Sequence, residues 1–276
     1  HTYLDLNDGS GVPITQPKEN SIQAYLDSRK LSTQHVQTFG DSGEAMAYIF
    51  LLDISGSLSD AQFSQMKACT VNWGENDRMA IVTFGNETST LLDYTGDAEA
   101  VKNALDSLHN NDNYTQLYGG IEAALKLTTR NDTGLPKRKA ILLLTDGLND
   151  FNGGITQDEI LDMVRQNVIP FYNLWSGSSG STQGEAFLNT LSNASRGEVY
   201  HLGKQSIQDI YDSTYDRFHK AFVVDFSYPL NKADGAMHNL KISVRDGSVE
   251  SSYTIDFIMS PPTESLASLP IDNTGA

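Results

Sequence analysis

An apolar run that ends in one aspartate constrains the fold of this chain more than any other feature. The six residues Ala47–Leu52 are apolar, and the chain turns polar at Asp53. Ser55 and Ser57 follow at alternate positions, and a helix start signal begins at Ser59. A buried strand that passes directly into a helix is typical of the carboxyl edge of a parallel sheet, where α/β proteins bind ligands.

The side chains of this turn suit a hard cation. Asp53 offers a carboxylate, and Ser55 and Ser57 offer two hydroxyls. Oxygen ligands of these kinds are the ones that Mg²⁺ and Ca²⁺ prefer in proteins. The turn therefore predicts part of a metal site.

A second strand that ends in an acid strengthens this prediction. The apolar run Ala140–Leu144 leads through Thr145 to Asp146. If the two strands are neighbours, the carboxylates of Asp53 and Asp146 converge at one edge of the sheet. Two such carboxylates repel each other unless a cation lies between them. Thr115, just before a predicted helix, can supply a third hydroxyl.

Strands and helices alternate from residue 43 to residue 222, and this alternation predicts the fold class. Uninterrupted apolar strands between amphipathic helices indicate an α/β fold, with a doubly wound, mostly parallel sheet and helices on both faces. The predicted strands are Ala47–Asp53, Met79–Phe84, Thr90–Leu92, Ala140–Asp146, Val168–Leu174 and a short one near Val199, and the predicted helices include Phe63, Val101, Leu117, Ile160, Leu188 and Ile210.

The segments that flank this domain have the period of two that is typical of antiparallel strands. Two or three strands cannot bury a core alone, so residues 1–42 and 223–262 are expected to combine into one small immunoglobulin-like β-sandwich. The α/β domain, residues 43–222, would then be inserted into that sandwich. Residues 263–276 are expected to form a linker or a disordered tail.

Charge and cysteine content narrow the range of functions. The 276 residues carry a net charge of −16, which argues against nucleic-acid binding and favours cations. No apolar run approaches the length of a membrane span, and an export signal and an anchor are expected outside these residues. Cys69 is the only cysteine, so an internal disulfide is excluded. We expect a buried structural thiol at Cys69 and a monomeric protein.

The motifs together resemble the von Willebrand factor A domain, the inserted domain of integrins. D-x-S-x-S alone is common, but three motifs in the expected order are specific. The resemblance covers residues 43–222 and implies a six-stranded sheet with one antiparallel edge strand, Thr90–Leu92. The matching residues are Asp53, Ser55 and Ser57, then Thr115 ahead of Leu117-Tyr118-Gly119-Gly120-Ile121, then Thr145-Asp146-Gly147.

The resemblance implies a metal-ion-dependent adhesion site that holds Mg²⁺, with Mn²⁺ or Ca²⁺ as alternatives. Ser55 and Ser57 would bind the metal directly. Thr115 would bind it directly or through water, and Asp53 and Asp146 would act mostly through water. One position would stay open for an Asp or Glu carboxylate of a partner protein.

Other implications of the resemblance concern regions around that site. Asp60 matches an additional acidic position of the integrin β subunits, but Ala61 follows where a second acid is expected, which puts a second metal site in doubt. Recognition of a partner would lie in loops such as 149–154 and 175–183. The resemblance also allows a shift of the last helix, 206–222, between states of different affinity, and the sequence leaves open whether this occurs.

Two other classes of function are open. A metal with an open position can activate water for hydrolysis, but no His or Glu in the motifs has the place of a general base. An intracellular chelatase-like or scaffold subunit that works with an ATPase is the other alternative. The flanking β segments favour a bacterial surface protein instead. The sequence therefore predicts a non-enzymatic adhesion module that is extracellular or on the cell surface.

Overall fold

The computed structural model describes residues 2–6, 14, 21–68, 74–167, 169–177, 182–227, 234–246 and 249–258. The chain divides into two compact units, Gly43–Arg217 and the combination of His1–Ser42 with Phe218–Ala276. Along the chain the elements are β1 (Thr2–Leu4), β2 (Ile22–Leu26), β3 (Arg29–Lys30), β4 (Ser32–Thr38), α1 (Phe39–Ser42), β5 (Met46–Asp53), α2 (Asp60–Ala68), β6 (Arg78–Phe84), β7 (Thr88–Thr95), α3 (Ala98–Asp106), α4 (Leu117–Thr128), β8 (Arg138–Thr145), α5 (Gln157–Asn167), β9 (Phe171–Trp175), α6 (Thr182–Ser195), β10 (Glu198–His201), α7 (Ile207–Lys220), β11 (Phe222–Ser227), β12 (Met237–Asp246) and β13 (Val249–Ile258).

The unit 43–217 is built on a six-stranded sheet in the order β10-β9-β8-β5-β6-β7. Five strands are parallel, and β7 is an antiparallel edge strand beside β6. This arrangement confirms the predicted α/β fold class and its single antiparallel edge. β7 is longer than the predicted strand Thr90–Leu92, and β9 begins at Phe171 because Pro170 precedes it and lacks the N–H that a ladder needs.

The central strand β5 has helices on both of its faces. All eight of its residues are buried. Ile49 and Leu51 belong to a core that α4, α5 and α6 cover. Phe50 points to the other face, where its ring stacks on Tyr211 of α7 with the centroids 5.2 Å apart. Burial on both faces explains why the sequence of this strand is continuously apolar and does not alternate between apolar and polar residues.

Three helices begin with the capping box that their sequences indicate. The side chains of Ser59, Thr156 and Ser206 each accept a hydrogen bond from a backbone N–H three residues further on. The side chain at that third position bonds back to the first residue in each case. Because a capping box fixes the residue at which α2 begins, it also fixes where the turn after β5 ends.

The β-rich unit contains a three-stranded sheet, β1-β11-β4, and a four-stranded sheet, β13-β12-β2-β3. Side chains from both sheets share one core, which is formed by Ile22, Ala24, Leu26, Leu31, Phe222, Val224 and Ile242. Each sheet joins strands from the two ends of the sequence. α1 was not anticipated, because its four residues are too few to show a helical period.

Some sequence-based predictions fall outside the described residues. These are the role of Cys69, the central part of the loop 175–183, and the tail 263–276. They stay predictions.

Candidate functional site

The register of the central strands brings Asp53 next to Thr145. β5 pairs with β8 in parallel, with Leu52 opposite Leu144, so the two strands end side by side. Both end residues are fully buried. The Thr145 hydroxyl donates to Asp53 Oδ2 at 2.8 Å and accepts the Gly147 N–H at 3.1 Å. The sequence analysis noted Thr145 only as part of a motif. It did not predict the hydrogen bond from Thr145 to Asp53.

Ser55, Ser57 and Asp146 continue this cluster. The Ser55 N–H and hydroxyl both donate to Asp53 Oδ1, at 2.9 and 2.6 Å. The hydroxyl oxygens of Ser55 and Ser57 lie 3.0 Å apart. The Ser57 hydroxyl also interacts with the carboxylate of Asp146, directly after β8, and opposes the rise in the pKa of that group. Three of the five predicted residues, Asp53, Ser55 and Ser57, therefore form one connected chain of hydrogen bonds, and Asp146 interacts electrostatically with Asp53 and Ser57.

Thr115, the fifth predicted residue, comes from the loop before α4. Its loop reaches the turn after β5, where the Gly56 N–H donates to the Asp112 carbonyl at 3.0 Å and the Asp112 N–H donates to the Ile54 carbonyl at 3.3 Å. Thr115 is buried, and its N–H donates to Asp150 Oδ1 at 2.5 Å. The Asp150 N–H in turn donates to the Thr115 carbonyl at 3.2 Å. Two short bonds thus join Thr115 to the loop that follows Asp146.

Asn86 fixes the same loop from the opposite side. Its Oδ1 accepts the N–H groups of Asn113 at 3.1 Å and Tyr114 at 3.0 Å. Its own N–H donates to Asp112 Oδ2 at 2.8 Å, and the Gln116 side-chain amide donates to its carbonyl. The sequence reasoning missed Asn86. Its place just after β6, at the carboxyl edge of the sheet, is the one signal that could have found it.

The backbone at Asp146 is held by close contacts with α6 and β9. Gly147 has a φ of +84°, and a Cβ there would lie 2.5 Å from the Gly184 carbonyl oxygen. A Cβ on Gly184 would lie 2.2 Å from the Asp146 carbonyl oxygen. The Trp175 indole N–H donates to that same oxygen at 3.0 Å. Glycines at 147 and 184 are therefore needed for this approach.

Burial shifts the acid–base properties of both carboxylates. It raises the pKa of Asp53 to about 6; hydrogen bonds from Ser55 and Thr145 oppose the rise, and the charge of Asp146 adds to it. Burial also raises the pKa of Asp146, and the nearby charge of Asp150 contributes. These directions indicate negative charge that the surrounding protein compensates only in part.

The donor set fits a hard divalent cation. Two carboxylates and three hydroxyls are all oxygen ligands, and no cysteine or imidazole is among them. Across the described residues, no cluster of three or more His, Cys, Asp or Glu side chains is arranged to hold a metal ion. A site here would therefore depend on hydroxyls for most of its ligands.

The sequence of this region matches the model of a known family. The von Willebrand factor type A domain model matches residues 49–213, which is more than half of the chain. The chain belongs to the von Willebrand factor type A (VWA) domain family. VWA domains are generally interaction modules that bind protein partners and lack enzymatic activity.

A curated relative is an uncharacterized protein of Borreliella burgdorferi, 25% identical over 142 residues. That match covers 48% of this chain and 40% of the relative, so the chain spans less than half of the relative's length.

Several solved structures are similar to this chain at low sequence identity. BatB of Bacteroides thetaiotaomicron is 15% identical with a TM-score of 0.47, over 64% of this chain and 98% of that one. The vWF domain of the type V pili tip protein Mfa5 of Porphyromonas gingivalis is 9% identical with a TM-score of 0.48, over 63% and 94%. The manganese-loaded TRAP protein of Plasmodium vivax is 10% identical with a TM-score of 0.47, over 83% and 98%.

The helices of the described residues are too short or too polar to cross a lipid bilayer.

Proposed function

We propose that this VWA domain binds a protein partner through a divalent cation, with Mg²⁺ as the physiological ion. Asp53, Ser55, Ser57, Thr115 and Asp146 would hold the ion. The partner would contribute an Asp or Glu carboxylate. The location that we propose is extracellular or at the cell surface.

One observation carries this proposal. Side chains from separate loops at the carboxyl edge of the sheet, all with oxygen donors, meet around two carboxylates with raised pKa values. An enzyme would need a general acid or base beside such a cluster. The ring of His201 packs edge-on against Trp175 with centroids 4.9 Å apart, and its Nε2 lies 3.5 Å from Glu185 Oε1, so its contacts give it a structural role.

The chemistry of the site follows from the ratio of charged to neutral oxygen ligands. A bound cation would attract an outside carboxylate, because few of its own ligands would be anionic. The residues of the chain keep the site ready for that ion. Thr145 and Ser55 hold both oxygens of the Asp53 carboxylate, and Ser57 pairs with Ser55 and interacts with the Asp146 carboxylate.

The test is a titration of Mg²⁺, Mn²⁺ and Ca²⁺ into wild type and Asp146→Ala, followed by thermal unfolding. Wild type should be stabilised by an amount that grows with the logarithm of the ion concentration above the dissociation constant, and Asp146→Ala should not. Asp158→Ala, which removes an exposed acid of the first turn of α5, is the matched control and should respond as wild type does. Equal stabilisation of wild type and Asp146→Ala would remove the cation site from the proposal.

A further inference from the structure

Exposed apolar side chains gather beside the candidate cation site. Among the described residues, seven large apolar side chains are exposed. Three of them, Tyr114 at 59%, Leu148 at 37% and Phe151 at 41%, lie in the two loops that carry Thr115 and follow Asp146. We call these three side chains the apolar rim. Large apolar side chains that are exposed singly are normal on a protein surface. Several of them at one site indicate a binding surface.

Hydrogen bonds fix the two loops that carry the apolar rim. Tyr114 is anchored through its N–H to Asn86, and the next residue is joined to Asp150 by the two bonds described above. The Leu148 N–H donates to Asp146 Oδ1 at 3.0 Å. The Asn149 side-chain amide donates to the Phe151 carbonyl at 3.1 Å. A surface that is already ordered loses little conformational entropy on binding.

The charge of this edge restricts what can approach it. The loops 53–60, 85–88, 109–116 and 146–156 contain no Lys or Arg. They contain six acids: Asp53, Asp60, Glu87, Asp112, Asp146 and Asp150. A segment with several carboxylates would be repelled, whereas one carboxylate on the cation, with basic residues beside it, would be attracted.

From these observations we infer that the partner segment carries a single Asp or Glu next to a bulky apolar residue, with basic rather than acidic residues on its flanks. The carboxylate would approach the cation, and the apolar side chain would cover the rim. This inference rests on the proposed function, because it assigns the chemistry of the partner at the same site.

The rim and the cation would make separable contributions to binding. Burial of one aromatic or aliphatic side chain contributes about tenfold in affinity. Removal of a rim side chain should therefore weaken the partner without changing the affinity of the site for the cation. Salt should weaken the contribution of the basic flanks, because charges at an exposed edge are screened.

The experiment selects peptides from a random phage-displayed library on the immobilised full chain in Mg²⁺, with elution by EDTA. The selected peptides should share one acid beside a bulky apolar residue and should be enriched in Lys or Arg. Synthetic copies should bind Leu148→Ser and Phe151→Ser about tenfold more weakly than wild type. Leu91→Ser is the matched control, because Leu91 has the same 37% exposure as Leu148 but lies on the edge strand β7. It should bind as wild type does.

The other outcomes of this experiment distinguish failure of the inference from failure of the proposed function. Selected acidic peptides without an apolar neighbour, or equal affinity for Leu148→Ser and Leu91→Ser, overturn the inference and leave the proposed function intact. The same holds if no peptide is retained while Mg²⁺ still stabilises wild type and not Asp146→Ala. If Mg²⁺ stabilises neither protein, the inference and the proposed function both fail.

Discussion

At the scale of single residues, Asp53 is held in a position that disfavours its charge. It is fully buried, and the donors around its two oxygens are neutral hydroxyl and amide groups. Burial raises the pKa of Asp53 from the ordinary value of 3.8 to about 6. This rise reflects the free-energy cost of placing a charge at that position. Without a cation, Asp53 therefore binds more protons in the folded protein than in the unfolded chain between about pH 4 and pH 6.

Asp53→Asn should be more stable than wild type in EDTA at neutral pH. The folded pKa of Asp53 lies above its unfolded value, so the contribution of this group to wild-type stability is highest below about pH 4 and falls as pH rises through about 6. The variant lacks this fall and should gain up to about 3 kcal/mol. Urea unfolding across this pH range checks it, and Mg²⁺ should stabilise wild type alone. A pH-independent difference between the two proteins would contradict the explanation.

Asn86→Ala should weaken Mg²⁺ binding by ten- to a hundredfold, about the loss seen when a supporting residue of a metal site is removed. Its side-chain oxygen holds two backbone N–H groups of the loop that carries Thr115. Asn86→Asp keeps that acceptor oxygen and should retain most of the affinity. The readout is the Mg²⁺ titration, with stability in EDTA measured beside it. If affinity falls only in parallel with stability in EDTA, Asn86 supports the fold alone.

The sequence predicted the five candidate ligands but not the residues that hold them. Asp53, Ser55 and Ser57 are neighbours along the chain, so a local pattern could indicate them. Asn86 and Asp150 hold the loop that carries Thr115 from distant positions in the sequence, and their side-chain amide and carboxylate are ordinary for loops. Only the folded chain brings them together. Long-range hydrogen bonds of this kind leave no period or motif to detect.

At the scale of elements, the contact between α6 and the end of β8 depends on glycines, which have no side chain. Gly147 and Gly184 let two backbones approach where any Cβ would overlap. The Asp146 carboxylate is attached to this contact. Its position is therefore set by packing of whole elements as well as by its own hydrogen bonds.

Gly147→Ala should destabilise the protein more than Gly134→Ala does. The two glycines have nearly the same φ, +84° and +82°, so the conformational cost of alanine, about 1 kcal/mol, is shared. Only Gly147 would also place a Cβ against backbone, which costs about 1–3 kcal/mol more. Urea unfolding measures the difference. Equal destabilisation of the two variants would show that the contact with Gly184 relaxes freely.

The β-rich unit contains a histidine whose charge should make its stability depend on pH. His238 is buried, with Nδ1 2.8 Å from Asp27 Oδ2 and Nε2 2.9 Å from Asp234 Oδ1. The two carboxylates that face it raise its pKa. The stabilisation is therefore complete below about pH 6.5, the unfolded value, and is lost as pH rises through the folded pKa. The stability gap between wild type and His238→Gln should close over that range in urea unfolding. A constant gap would contradict this.

At the scale of the whole molecule, the sequence predicted the fold class and the pairing of its two ends in general terms. Period two in both flanks, with too few strands in either, required them to combine. The structure adds what the pattern could not supply. β2 lies beside β12, and β4 lies beside β11, so each sheet is completed by strands from both flanks. Strand order depends on packing between distant segments, which a local period does not encode.

Deletion of residues 1–42 should expose the strands of the other flank. β11 would lose both of its neighbours, β1 and β4, and β12 would lose β2. Amide hydrogen exchange should therefore become fast in Phe222–Ser227 and Met237–Asp246. Amides of β5 and β8 should stay protected, because their partners lie within residues 43–217. Retained protection in β11 would contradict the proposed insertion of one domain into the other.

The pairing of β4 with β11 also determines how tension would travel through the molecule. Thr38 lies opposite Phe222, so the chain departs for the six-stranded unit and returns from it at adjacent positions of one sheet. Tension applied through the two flanks would load the hydrogen bonds of the β-rich unit first. The intervening residues would bear none of it while β4 and β11 stay paired. The carboxyl edge of the six-stranded sheet would therefore keep its geometry on a stretched chain.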